Sequence, residues 1–192
     1  MYKKILVSLF AFSFGSVLTI NAADDPSRLR IYYPASTSAT VENCATCTVT
    51  AEGYSLHYVF GFGLGLGVTN SKSKVSGTSP EYSIDAGSMV DLSYTFGTDF
   101  TFTLGYGSGS SPQVDGMPGF VVTGGSSSNS LIGLGYNFGG FEVLLGMRSV
   151  NTTIQYDQTF TYEILGTTYT GVSSGTLTSS WNTTDIGVGF TF

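Results

Sequence analysis

The one histidine of this chain, His57, stands two residues from Ser55, and in an extended strand that spacing puts both side chains on the same face. A hydroxyl beside an imidazole, with a carboxylate to orient the ring, is the raw material of nucleophilic catalysis. Such Ser and His neighbours also arise by chance in a chain this rich in serine, so an enzymatic reading stays an alternative to the main one. Cys44 and Cys47 are the only cysteines, and in an oxidising compartment they are expected to close a small local disulfide. A redox pair would need a βαβ context that is missing, and zinc would need two further ligands. Gly61, Gly63, Gly65 and Gly67 superficially resemble a phosphate loop, but they alternate within a strand and no helix follows. No cofactor and no metal are expected. The Asn-Thr-Thr triplets at Asn151 and Asn182 match a glycosylation pattern that composition alone explains.

The glycines lead to the elements that must carry any site. Between Tyr54 and Val68 the even positions are Tyr54, Leu56, Tyr58, Phe60, Phe62, Leu64, Leu66 and Val68, while the odd ones, Val59 apart, are small or polar. Strict period-2 alternation of this kind puts bulky hydrocarbon on one face and almost nothing on the other. A soluble strand would leave a row of glycines in water, where they pack nothing. Lipid outside and a crowded, narrow interior fit better. The fold expected is all-β: a transmembrane antiparallel up-and-down β-barrel.

Composition agrees. Of 192 residues only 10% are charged and 14% are aromatic, with 26 glycines, far from the usual quarter of charged residues. No run approaches the roughly 18 apolar residues of a spanning helix. Residues 1–22 read as a secretory signal, with Lys3 and Lys4 ahead of an apolar run and cleavage after Ala22; an uncleaved anchor is the alternative. Residues 23–52 are expected to be an N-terminal periplasmic extension or an added strand through Arg28 to Tyr33, and 53–192 the barrel. The net charge of −6 makes nucleic acid an improbable partner.

The strands expected are 53–68, 81–96, 100–106, 130–138, 141–149 and 184–192, with residues 69–80 and 107–129 as long loops. In the second, Tyr82, Ile84, Val90, Leu92, Tyr94 and Phe96 share the outer face. Closure normally takes at least eight strands. The missing pair is expected within 152–178, turning at Gly166. The rival arrangement makes 141–164 and 169–192 two very long strands that project as an external hairpin, with residues 28–33 supplying closure. Short turns at Gly97 to Asp99 and at Gly139-Gly140 mark the periplasmic end. Tyr94, Phe96, Phe100, Phe102, Tyr136, Phe138, Phe141, Phe190 and Phe192 gather there as an interfacial girdle.

In such a barrel His57, Asp85, Asp91, Glu142, Arg148 and Asp185 project inward. Charges in a narrow lumen must be paired or hydrated, and the expected arrangement is a structural network in which Arg148 bridges carboxylates. A narrow cation-leaning path is the alternative, since acids outnumber the one lumen arginine expected, although an eight-stranded interior is mostly filled by side chains. A lipid-modifying enzyme built on Ser55 and His57 and a soluble secreted barrel complete the set. Lys72 and Lys74, in the first external loop, are either solvated or in contact with lipopolysaccharide phosphates.

The chain ends Asp185-Ile186-Gly187-Val188-Gly189-Phe190-Thr191-Phe192. With the export signal and the alternating segments, this resembles the small Gram-negative outer-membrane β-barrels of the OmpA/OmpX/opacity type. The resemblance implies that Ile186, Val188, Phe190 and Phe192 form the signal read by the barrel assembly machinery. It also implies periplasmic chaperones as partners, outer-membrane lipid and lipopolysaccharide as surroundings, and a monomer. The function expected is non-enzymatic: envelope integrity and display of external loops.

Overall fold

The computed structural model describes residues 26–39 and 47–192. The expected signal segment 1–22 and Cys44 of the expected disulfide lie outside the described residues; Cys47, which precedes the second strand, is not a free thiol. The strands are β1 (Arg28–Ser38), β2 (Thr48–Val59), β3 (Leu64–Ser76), β4 (Tyr82–Phe96), β5 (Phe100–Ser110), β6 (Gln113–Asp115), β7 (Phe120–Asn137), β8 (Phe141–Ile164) and β9 (Thr167–Thr191). All but β6 form a closed antiparallel ring: β1 lies between β2 and β9, and β3 pairs with β4 to complete it. The short β6 pairs with the upper part of β4.

The expected all-β, eight-stranded up-and-down barrel is thus the observed fold, but its strands are counted differently. The alternating run from Tyr54 to Val68 is a hairpin, not one strand. The chain reverses through residues 60–63, where the Phe60 N–H donates to the Leu64 carbonyl and the Gly63 N–H to the Phe60 carbonyl, each at 2.8 Å. Gly63 adopts φ +91°, a left-handed value that favours glycine. The hairpin sets Val59 opposite Gly65 and Leu56 opposite Val68. Like parity therefore meets like, and the alternation passes through the turn without a break.

Closure comes from β1, so the barrel begins at Arg28 rather than at residue 53. Of the two alternatives for 23–52, the described residues hold the added strand. The long-strand arrangement, not an extra pair within 152–178, accounts for the rest: β8 has 24 residues and β9 has 25. They pair without interruption from Phe141 opposite Phe190 up to Ile164 opposite Thr167. Segments 69–80 and 107–129 are also mostly strand, since β3, β5 and β7 continue upward through them.

The outer wall is apolar low down and polar above. On β8, Phe141, Val143, Leu145 and Met147 face outward and are well exposed, then Ser149 and Asn151 take over. At about 3.3 Å per residue and a tilt near 40°, the seven residues from Phe141 to Met147 rise roughly 18 Å, most of the ~25 Å apolar band of a membrane barrel. The same change occurs on β7 after Ile132, on β5 after Tyr106 and on β4 after Val90. The lower rim carries paired rings: Tyr94 with Phe96, Phe100 with Tyr136, Tyr136 with Phe138, and Phe141 with Phe190. Tyr58, Phe60 and Phe62 extend this girdle toward Phe192.

The interior is inverted along the axis. Within the belt its wall is polar and charged apart from one apolar layer. Above the belt Ala51, Ile84, Ala86, Met89, Val150, Ile154 and Trp181 form an apolar core. One face of one strand therefore changes character with height: on β8 it runs Glu142, Leu144, Gly146, Arg148, Val150, Thr152, Ile154. Water outside the upper barrel restores the ordinary hydrophobic arrangement, and lipid outside the lower barrel reverses it.

Candidate functional site

The lumen within the belt is built in layers. In the lowest, Arg30 on β1 reaches across β9 to Glu142 on β8. Its Nε donates to Oε2 and its Nη2 to Oε1, both at 2.7 Å, and both side chains are buried. The remaining guanidinium donors go to Thr95, Thr103 and Thr101. Arg28 lies beside this pair, with its Nη2 donating to the Gly97 carbonyl. Above it Tyr32, Leu131 and Leu144 form an apolar layer.

The third layer centres on Arg148. Its Nε donates to Asp185 Oδ2 at 3.0 Å, and its Nη1 donates to Thr69 Oγ1 and Asn129 Oδ1, each at 2.9 Å. Asp91 accepts from Thr69 Oγ1 and from Asn129 Nδ2. His57 Nε2 stands 3.1 Å from Asp91 Oδ2, and Tyr32 packs edge-on against the imidazole. Thr183 Oγ1 caps the other oxygen of Asp185.

Glycine makes these contacts possible. His57 on β2 and Asp91 on β4 are separated by β3, and Gly67 lies between them in register. A Cβ at Gly67 would stand 2.8 Å from His57 Cγ. Gly107 does the same for Asp91 and Asn129, and Gly189 for Arg30 and Glu142. The interior glycines are thus saddles over which side chains from alternate strands meet, in a lumen too narrow to hold a side chain from every strand.

The structure brings together five of the six expected lumen residues, His57, Asp91, Glu142, Arg148 and Asp185. Asp85 is a correction. Gly87, at φ +72°, forms a bulge on β4 that places an extra residue opposite β3. The bulge flips parity above it, so Tyr82 and Ile84 turn inward and Asp85 turns to the outer side. There its Oδ1 accepts from the Gly87 N–H. Arg28 and Arg30 join the lumen although the sequence expectation sets residues 23–52 apart from the barrel. The signal was present: Arg28, Arg30 and Tyr32 alternate with Leu29, Ile31 and Tyr33, the same pattern as in the other barrel strands.

Chemically the site pairs and fills. None of the described hydrogen bonds joins Ser55 to His57, and both are buried, at 2% and 3% exposure. Trp181 lies across the top of the charged region, 1% exposed, with its indole N–H donating to Ser71 Oγ at 3.1 Å. The void beside Arg148 measures about 10 Å³, room for one water at most. Lys72 and Lys74 lie on β3 above the apolar belt, with Asp115 and Glu81 as their ion-pair partners. Ile186, Val188 and Phe190 point outward on the last strand, and Phe192, just past its end, is exposed.

A closed ring of eight antiparallel strands with an apolar exterior and a charged interior defines the class of membrane-spanning β-barrels. No family model matches the chain, and no curated protein matches it. Among solved structures, the outer membrane protein AlkL in DMPC lipid bilayers is similar at 11% identity and a TM-score of 0.48, over 88% of this chain and 91% of that one. A loop-deletion mutant of OmpT, an outer membrane protein of Vibrio cholerae, is similar at 12% identity and a TM-score of 0.27, over 86% of this chain and 62% of that one. At these scores neither likeness bears on activity, and the class rests on the barrel's own geometry.

Proposed function

We propose that this protein is a non-enzymatic barrel of the bacterial outer membrane that contributes to envelope integrity and displays polypeptide beyond the outer leaflet. The observation that carries this reading is the inversion along the barrel axis, plainest on β8: an apolar outside around charged layers over a membrane's thickness, then a polar outside around an apolar core above it. The first arrangement is stable only in hydrocarbon and the second only in water, so the barrel spans and then stands clear of the bilayer. The layered lumen, closed above by Trp181, favours a structural interior over a conducting one. The outward row Ile186, Val188, Phe190 and Phe192 is an exposed apolar pattern for assembly factors to read. Lys72 and Lys74 lie where they would meet anionic lipopolysaccharide headgroups.

The test is gel mobility of membrane-fractionated protein with and without boiling. A folded membrane barrel resists SDS and shifts on heating, so a band in the outer-membrane fraction that shifts supports the reading. Recovery of the folded protein from the soluble periplasmic fraction without detergent overturns it.

A further inference from the structure

The upper halves of β8 and β9 form a two-stranded ribbon whose two edges are treated differently. β7 covers β8 as far as Phe120 opposite Gln158. β1 covers β9 only from Arg28 opposite Thr191 up to Ser38 opposite Asn182. From Trp181 to Thr167, β9 has β8 as its one strand neighbour among the described residues. That edge carries no charge and no proline, the usual devices that blunt an exposed edge.

The ribbon's inner face is aromatic. Tyr156, Phe160, Tyr162 and Tyr169 lie on it, with Phe160 and Tyr162 stacked at 6.1 Å and Tyr162 and Tyr169 at 5.5 Å. Opposite Phe160 is Gly171 and opposite Tyr156 is Gly175. A Cβ at Gly171 would stand 2.5 Å from Phe160 Cζ, and one at Gly175 2.7 Å from Tyr156 Cζ. The tips of both β8 rings therefore lie over β9, toward its open edge. After Arg148 the chain contains Asp157, Glu163 and Asp185 but no lysine or arginine, so the ribbon is purely acidic.

We infer that the edge of β9 left uncovered by the described strands is a docking site for an extended, cationic segment of another polypeptide, which adds as a third strand beside residues 167–181. Main-chain hydrogen bonds supply the pairing, as in strand addition generally. Side chains four residues apart on the partner pack on the Phe160 and Tyr156 ring tips, and basic groups on its other face answer Asp157, which accepts from Ser174 Oγ, and Glu163, both on the ribbon's outer face. A second copy is the poorer occupant: two barrels inserted the same way have β9 running in the same sense and could meet only as parallel strands, and neither ribbon carries a basic group to answer the other's Asp157 and Glu163. This inference rests on the membrane reading above and names the partner class for the display it describes.

The test uses the full chain in liposomes with a synthetic 12-residue probe peptide. The peptide alternates Val and Thr, has Phe at two positions four apart and Lys at both ends; a counterpart carries Glu for Lys. Expected is at least a tenfold slowing of amide exchange at alternate residues of 167–181 on addition of the cationic peptide. Val172→Lys should weaken binding at least tenfold. The double variant Asp157→Asn, Glu163→Gln should weaken it at least threefold and cannot disturb the buried barrel. No protection of 167–181, equal binding of the Glu peptide, or protection that rises with protein concentration alone overturns the inference. Any of these with a heat-shifting barrel still present leaves the membrane reading standing.

Discussion

Arg30 and Glu142, 112 positions apart in the chain, meet face to face across Gly189 through two parallel hydrogen bonds of 2.7 Å. The pair joins β1 to β8 over β9, and so ties the first strand of the ring to the last two. Both side chains are buried, at 1% and 0% exposure, so each charge depends on the other for its solvation.

Removing one partner should therefore cost more than removing both. Glu142→Ala leaves the Arg30 guanidinium with only threonine hydroxyls and also takes the carboxylate 3.8 Å from Arg28, and a loss of about 3–5 kcal/mol is expected. The double variant Arg30→Met, Glu142→Leu should recover most of that. Urea unfolding in lipid vesicles measures both, and equal loss in the single and the double variant would show that the pair is not coupled.

The saddle role of glycine predicts a cost where size alone changes. Gly67→Val drives a side chain into His57 and the Leu56 carbonyl, and overpacking of this kind costs about 1–3 kcal/mol. Ser130→Val, which points outward from β7, should cost much less. If unfolding midpoints for the two coincide, the glycines are not holding contacts between alternate strands.

Height along the wall should set the penalty for an outward charge. Leu134→Arg sits mid-belt on β7 and is expected to cost roughly 2–4 kcal/mol, whereas Ser128→Arg, above the belt on the same strand, should cost about 0–1 kcal/mol. The refolding yield into vesicles gives the order. Gly63→Ser, an inward position by simple alternation, is no neutral control: Gly63 lies in the β2–β3 turn at φ +91°.

A filled lumen predicts electrical silence. Planar-bilayer recordings of the native chain should show no unitary conductance, and discrete current steps would refute the structural reading of the charges. Trp181→Ala should destabilise the barrel by about 3–5 kcal/mol through the cavity it leaves. It should stay silent, because the layers of Arg148 and Arg30 below remain closed.

Which side of each strand meets lipid was readable in the chain, because pleating makes alternation a purely local property and lipid rewards it in the reverse sense to water. The girdle and the inward sense of His57, Asp91, Glu142, Arg148 and Asp185 follow from that pattern. Three things did not, each for a non-local reason. The β2–β3 turn is built of Phe60-Gly61-Phe62-Gly63 because it sits in the aromatic girdle. It also pairs like parity with like, so neither composition nor period marks it. The bulge at Gly87 reverses the faces above it, sending Ile84 in and Asp85 out, and one glycine among many gives no sign of its φ. The partner that closes the ring, Arg28–Ser38, is chosen by contacts between the two ends of the chain. Arg30 finds Glu142 only when β9 lies between them with a glycine at the crossing, and that meeting exists in three dimensions alone.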